Sequence, residues 1–120
     1  MDTDNIKIAE WLGWTDVHIS QQNDCMYAKM ESTDSNRYRV NGDFTLLDSH
    51  AIALLPALVT KDYFPLLERK YDDMWHLELW ERIEVSPKHY ESGLAFFGVG
   101  KTIHEAICEV VLKIIRNSTE

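Results

Sequence analysis

The sequence predicts an α+β fold: an antiparallel sheet of four to five strands covered by three to four helices, in one domain spanning residues 1–120. Three observations lead there. Apolar residues recur at three- and four-residue spacing near both ends of the chain, whereas much of the middle alternates apolar with polar residues. Short turn signals separate the alternating stretches, which suits hairpins and not the dozen or more residues of a parallel crossover. A length of 120 residues is one ordinary domain, and 45% hydrophobic with 27% charged residues is a globular balance.

In chain order, Thr3 or Asp4 can cap a first helix that places Ile8, Trp11 and Leu12 on one side, with Gly13 closing it in the left-handed conformation. After Trp14 the period becomes two. Val17, Ile19 and Gln21 alternate with His18, Ser20 and Gln22, and Met26, Ala28 and Met30 alternate with Tyr27, Lys29 and Glu31. Residues 22–24 make the first turn and residues 32–36 the second. Residues 37–40 form a short third strand, which Asn41-Gly42 stops.

Asp48 or Ser49 caps a second helix with Ile52, Leu55, Leu58 and Val59 inward. Pro56 should kink or end it, and Pro65 fits the first turn of another helix with Leu66, Leu67 and Tyr71 behind it. A broken helical pair is therefore expected over residues 48–74. Residues 75–85 are the clearest strand: Leu77, Leu79, Ile83 and Val85 alternate with His76, Glu78, Trp80, Arg82 and Glu84. Ser86-Pro87-Lys88-His89 turns the chain, and residues 90–99 return with Leu94 and Phe96 expected on one face. A last helix over residues 102–116 carries a wide apolar stripe through Ile107, Val111 and Ile114, and should cross the sheet as the main beam of the core.

Twelve Lys and Arg against twenty Asp and Glu give a net charge of −8. That balance disfavours a sequence-independent grip on DNA or on an anionic membrane, so no direct nucleic-acid contact is expected. No apolar run approaches the roughly 20 residues of a membrane helix, and Met1-Asp2-Thr3-Asp4 has no basic lead into an apolar stretch. Cys25 and Cys108 read as reduced thiols, and the expected location is cytoplasmic.

Ala95 to Thr102 fits a loose phosphate-loop pattern ending in Gly100-Lys101-Thr102. It opens on Ala followed by two Phe, no later strand is left to supply a magnesium-holding Asp, and hairpins are the wrong scaffold. Nucleotide hydrolysis is therefore declined, and no enzyme activity is expected. Gly98, Gly100, Lys101 and Thr102 remain a candidate anion-binding turn, against the alternative that the glycines only shape the strand-to-helix turn. His104-Glu105-x-x-Cys108 imitates a metal pair at i and i+4, but a zinc site needs at least three protein ligands and no second pair follows. No metal and no cofactor are expected. Trp80 stands on the polar face of its strand beside Glu78, with Glu81 and Glu84 nearby, and these residues are the candidate partner-binding surface. The competing reading covers Trp80 with helices and leaves the acids as a solvated surface.

The segment Ile8-Ala9-Glu10-Trp11-Leu12-Gly13-Trp14 and the closing stretch from Gly100 to Leu112, around Ala106-Ile107-Cys108, resemble the two ends of the phage ABA sandwich domain family. The resemblance implies a compact α/β sandwich from a phage or prophage genome, without a cofactor. The expected function is a non-enzymatic accessory module binding a host or phage protein. The alternatives are a small domain holding an anionic metabolite or nucleotide at the Gly98–Thr102 turn, and a homo-oligomer packed through Trp80 and the acidic strand.

Overall fold

The structure, a computed structural model, describes residues 2–31, 33 and 35–118. The elements are α1 (Asp2–Trp11), β1 (Thr15–Ile19), β2 (Met26–Lys29), β3 (Tyr38–Arg39), α2 (Asp48–Ile52), α3 (Leu55–Thr60), β4 (Tyr63–Arg69), β5 (Trp75–Ser86), β6 (His89–Gly100) and α4 (Ile103–Ser118). The class is α+β, but the strands do not join into one sheet of four or five. They form two antiparallel sheets of three, ordered β1-β2-β3 and β4-β5-β6. With only two residues, β3 offers little edge for another strand, and the chain then runs through buried Gly42 and Phe44 into helices before β4 begins.

The end of α1 follows its sequence signal. Gly13 has φ +95°, its N–H donates to the Glu10 carbonyl, and the Trp14 N–H donates to the Ala9 carbonyl. These bonds satisfy carbonyls that the helix end leaves open. The start does not follow its signal: α1 already includes Asp2, so Thr3 and Asp4 lie inside the first turn instead of capping it. There, acid suits the positive end of the helix dipole. The turn expected over residues 32–36 lies partly outside the described residues, at Ser32 and Asp34.

The helical pair expected over residues 48–74 is shorter than its sequence signal. Pro56 does not break a helix; it occupies the first turn of α3, where a missing N–H costs nothing. The helix expected at Pro65 is strand β4. Tyr63, Pro65 and Leu67 are half-buried while Phe64, Leu66 and Glu68 are exposed, a period of two that the run of Leu66 and Leu67 conceals. Pro65 fits because β4 is an edge strand, where a residue without an N–H is tolerated.

In β5, Leu77 and Leu79 are fully buried against α4, while His76, Glu78 and Trp80 take the opposite face. The turn after it holds Lys88 at φ +64°, and β6 returns antiparallel to β5. Leu94 and Phe96 were expected on one face, but the ladder slips between Leu79↔Phe96 and Trp80↔Leu94, leaving Ala95 as the extra residue. Such a bulge puts Phe96 in the core and Leu94 on the open side.

Helix α4 is the central beam. Its buried Ala106, Ile107, Val110 and Val111 lie between the β4-β5-β6 sheet and a layer to which α1 and α2 contribute Ile8 and Ala51, with Leu54 and Leu58 in the same core. Close approach explains two glycines: a Cβ on Gly98 would stand 2.9 Å from the Ala106 carbonyl oxygen, and one on Gly100 would stand 2.7 Å from the Ala106 nitrogen. Beyond Tyr63↔Glu81, where β4 begins, β5 and β6 continue alone as a two-stranded arm. The radius of gyration of 15.9 Å accordingly exceeds the about 13–14 Å of a compact chain this long.

Candidate functional site

With α4 on one face of the β4-β5-β6 sheet, the other face stays open. The register aligns Phe64, Trp80 and Leu94 in one row across three strands, and Leu66, Glu78 and Phe97 in the next. Phe64 is 57% exposed, Leu66 47%, Leu94 50% and Phe97 48%, with Trp80 half-buried among them. The Trp80 Nε1–H donates to Glu78 Oε1 over 3.4 Å. Past Trp80 the band turns polar: the Arg82 guanidinium lies 3.8 Å from the centre of the Tyr90 ring. At the other end, His76 Nε2 lies 2.9 Å from Asp72 Oδ2. That bond, with one from the Met74 N–H, holds the Asp72 carboxyl below its ordinary range.

The four residues singled out on β5 are divided between its faces. Alternation puts Trp80, Glu78 and Glu84 on the open face, with Glu84 out on the arm. Glu81 belongs to the Leu77 and Leu79 row, paired with Tyr63 and Gly93. The sequence pattern identified Trp80 but missed its neighbours. Phe64 and Leu66 fall in a stretch that looks helical, and Leu94 reaches the face only through the bulge.

The Gly98–Thr102 turn has its amides engaged by side chains of the protein. Glu109 Oε2 accepts the Val99 N–H at 3.0 Å, Glu105 Oε2 accepts the Lys101 N–H at 2.9 Å, and Thr102 Oγ1 accepts the Glu105 N–H at 3.3 Å. Thr102 and Glu105 thus act much as a capping box, a Thr-x-x-Glu signal legible in the sequence. Asp48, expected to cap its own helix, caps α4 instead: its Oδ1 accepts the His104 backbone N–H at 3.0 Å and lies 2.7 Å from His104 Nδ1. These two bonds, the backbone one foremost, hold the Asp48 carboxyl below its ordinary value.

His104 Nε2 lies 3.1 Å from Thr102 Oγ1, so hydroxyl, imidazole and carboxylate stand in a row. The spacing matches a hydrolase relay, but the threonine oxygen is at the same time the cap of α4. The row works as a clasp between α2 and α4. Cys108 does not join His104. It is buried, its S–H donates to the Phe44 carbonyl at 3.0 Å, and burial pushes its pKa up to about 12. Among the described residues, no group of three His, Cys, Asp or Glu is arranged to hold a metal, and no helix is long and apolar enough to cross a membrane.

Comparison with known protein families, with curated proteins and with solved structures finds no match for this chain.

Proposed function

We propose that the chain is a non-enzymatic binding module that takes a protein partner on the open face of the β4-β5-β6 sheet. The apolar band carries this reading: Phe64, Leu66, Leu94 and Phe97 stand about half-exposed around Trp80, on a face that the described helices reach only at its β6 edge, where Lys113 Nζ of α4 lies 5.2 Å from the centre of the Phe97 ring. Burying such side chains stabilises a complex by roughly 25 cal/mol per Å² removed from water. A soluble domain that keeps a contiguous band of them open has a use for it. Tryptophan near the centre of a patch, with polar groups at its rim, is the usual composition of an interaction hot spot.

The acids around the band suit a partner with basic residues, and the net charge of −8 would steer one toward it. We take that partner to be a host or phage protein met in the cytoplasm, with the chain as a phage or prophage accessory. This part of the reading rests on the resemblance of the two chain ends and on the acidic balance.

The test uses Leu66→Asp and Leu94→Asp, each placing a charge in the band. Exposed substitutions of this kind normally change stability by within about 0.5 kcal/mol, so folding should survive. The wild type should retain a defined protein from bacterial host cells, and both variants should lose it at an unchanged melting temperature. Retention unaffected by either variant would refute the reading. A concentration-dependent dimer in sedimentation, abolished by Leu94→Asp, would instead make a second copy the occupant.

A further inference from the structure

The outer face of the small β1-β2-β3 sheet, remote in sequence from the band, carries a different chemistry. It borders an open, mostly polar groove that Asp16, Ser20 and Gln22 also line. Two aromatic residues are among those that line it. His18 and Tyr27 are register partners on β1 and β2, with ring centres 5.7 Å apart and planes inclined by only 24°. Arg37 Nη1 donates to His18 Nδ1 at 2.9 Å. That bond fixes the imidazole proton on Nε2, while among the described residues most of the five guanidinium N–H donors remain available. Asn23 Nδ2 donates to the Tyr27 hydroxyl at 3.2 Å, which leaves that hydroxyl a proton to donate. Lys29 adds a second cation, 3.2 Å from Asp16, and Asn36 adds a side-chain amide.

We propose that this groove binds a free mononucleotide, its base against the His18–Tyr27 pair and its phosphate on the Arg37 guanidinium. The ring pair offers a π-surface, which a base stacks on whatever its identity. Arg37 offers the planar fork that matches phosphate oxygens. The side-chain amides can meet the polar edge of a base. An apolar ligand would find little to bury here. A long polyanion would be repelled by a molecule of net charge −8, whereas one phosphate meets the local cations at small cost.

Calorimetric titration of the full chain with AMP, GMP, CMP and UMP tests this, alongside the matching nucleoside, ribose 5-phosphate and a short single-stranded oligonucleotide. At least one mononucleotide should bind. Its nucleoside and ribose 5-phosphate should each bind about tenfold more weakly or worse, since each lacks one of the two anchors. Arg37→Gln should reduce the nucleotide to the level of its nucleoside. Tyr27→Leu should weaken nucleotide and nucleoside while leaving ribose 5-phosphate unchanged, and Leu94→Asp should bind like the wild type. The proposal is overturned by silence from all four nucleotides, by ribose 5-phosphate binding as well as they do, by oligonucleotide binding without mononucleotide binding, or by indifference to Arg37→Gln and Tyr27→Leu.

Discussion

Asp48 shows how one carboxylate can serve a helix other than its own. It sits in the first turn of α2, yet it accepts both the backbone N–H and the ring N–H of His104 at the start of α4. Because its folded pKa lies below the 3.8 of an unperturbed aspartate, the folded state holds the proton less readily than the unfolded chain. The clasp therefore contributes stability at pH values above 3.8 and loses it as pH falls through the folded-state value. Asp48→Ala should lower the denaturation midpoint at neutral pH, and its difference from wild type should shrink in strong acid. A difference independent of pH would mean that the carboxylate charge plays no part. The two thiols should also separate. Cys108 is 5% exposed with its pKa raised to about 12, whereas Cys25 is half-buried near the surface. An aromatic disulfide reagent should titrate Cys25 in the native protein and Cys108 only on unfolding.

The seam between β6 and α4 joins sheet to helix. Glycines let the two backbones approach, and the edge of β6 is closed by side chains from the helix: Glu109 takes the Val99 N–H, while Lys113 Nζ donates to the Phe97 carbonyl at 2.6 Å. Covering an edge in this way blocks its pairing with another chain. A Cβ on Gly100 would meet Glu105 Cβ at 2.5 Å and helix backbone beyond it, so Gly100→Ala should cost about 1–3 kcal/mol in chemical denaturation. Glu109→Ala should cost about 1 kcal/mol through the stranded Val99 amide. At this scale the sequence was readable wherever one period ran unbroken, as along β5 and α4. It was unreadable where two signals overlapped. Pro65-Leu66-Leu67 has the proline and leucines of a helix start, and only pairing with β5 makes it a strand. The Ala95 bulge has no signature in composition, yet it decides which face Leu94 takes. The candidate surface was therefore legible as Trp80 and Glu78, with Glu84 out on the arm, because the rest of it depends on pairing between strands.

In the whole molecule, α4 divides the surfaces into used and unused. Its apolar stripe is enclosed by the large sheet on one side and by α1 and α2 on the other, so the core is complete without the outer face of that sheet. That face then keeps an apolar band, to which the β5–β6 arm adds the exposed Tyr90, paired with Glu84. Folding alone does not explain the band, since removing it should barely alter stability. By contrast, Leu77→Ala, on the buried face of the same strand, should cost about 2–5 kcal/mol. The most direct measurement is recovery of a partner from host cells by wild type and by Leu94→Asp, side by side, with melting temperatures recorded for both. The account predicts equal melting temperatures and a partner held by the wild type alone. The same proteins held equally by both forms would contradict it.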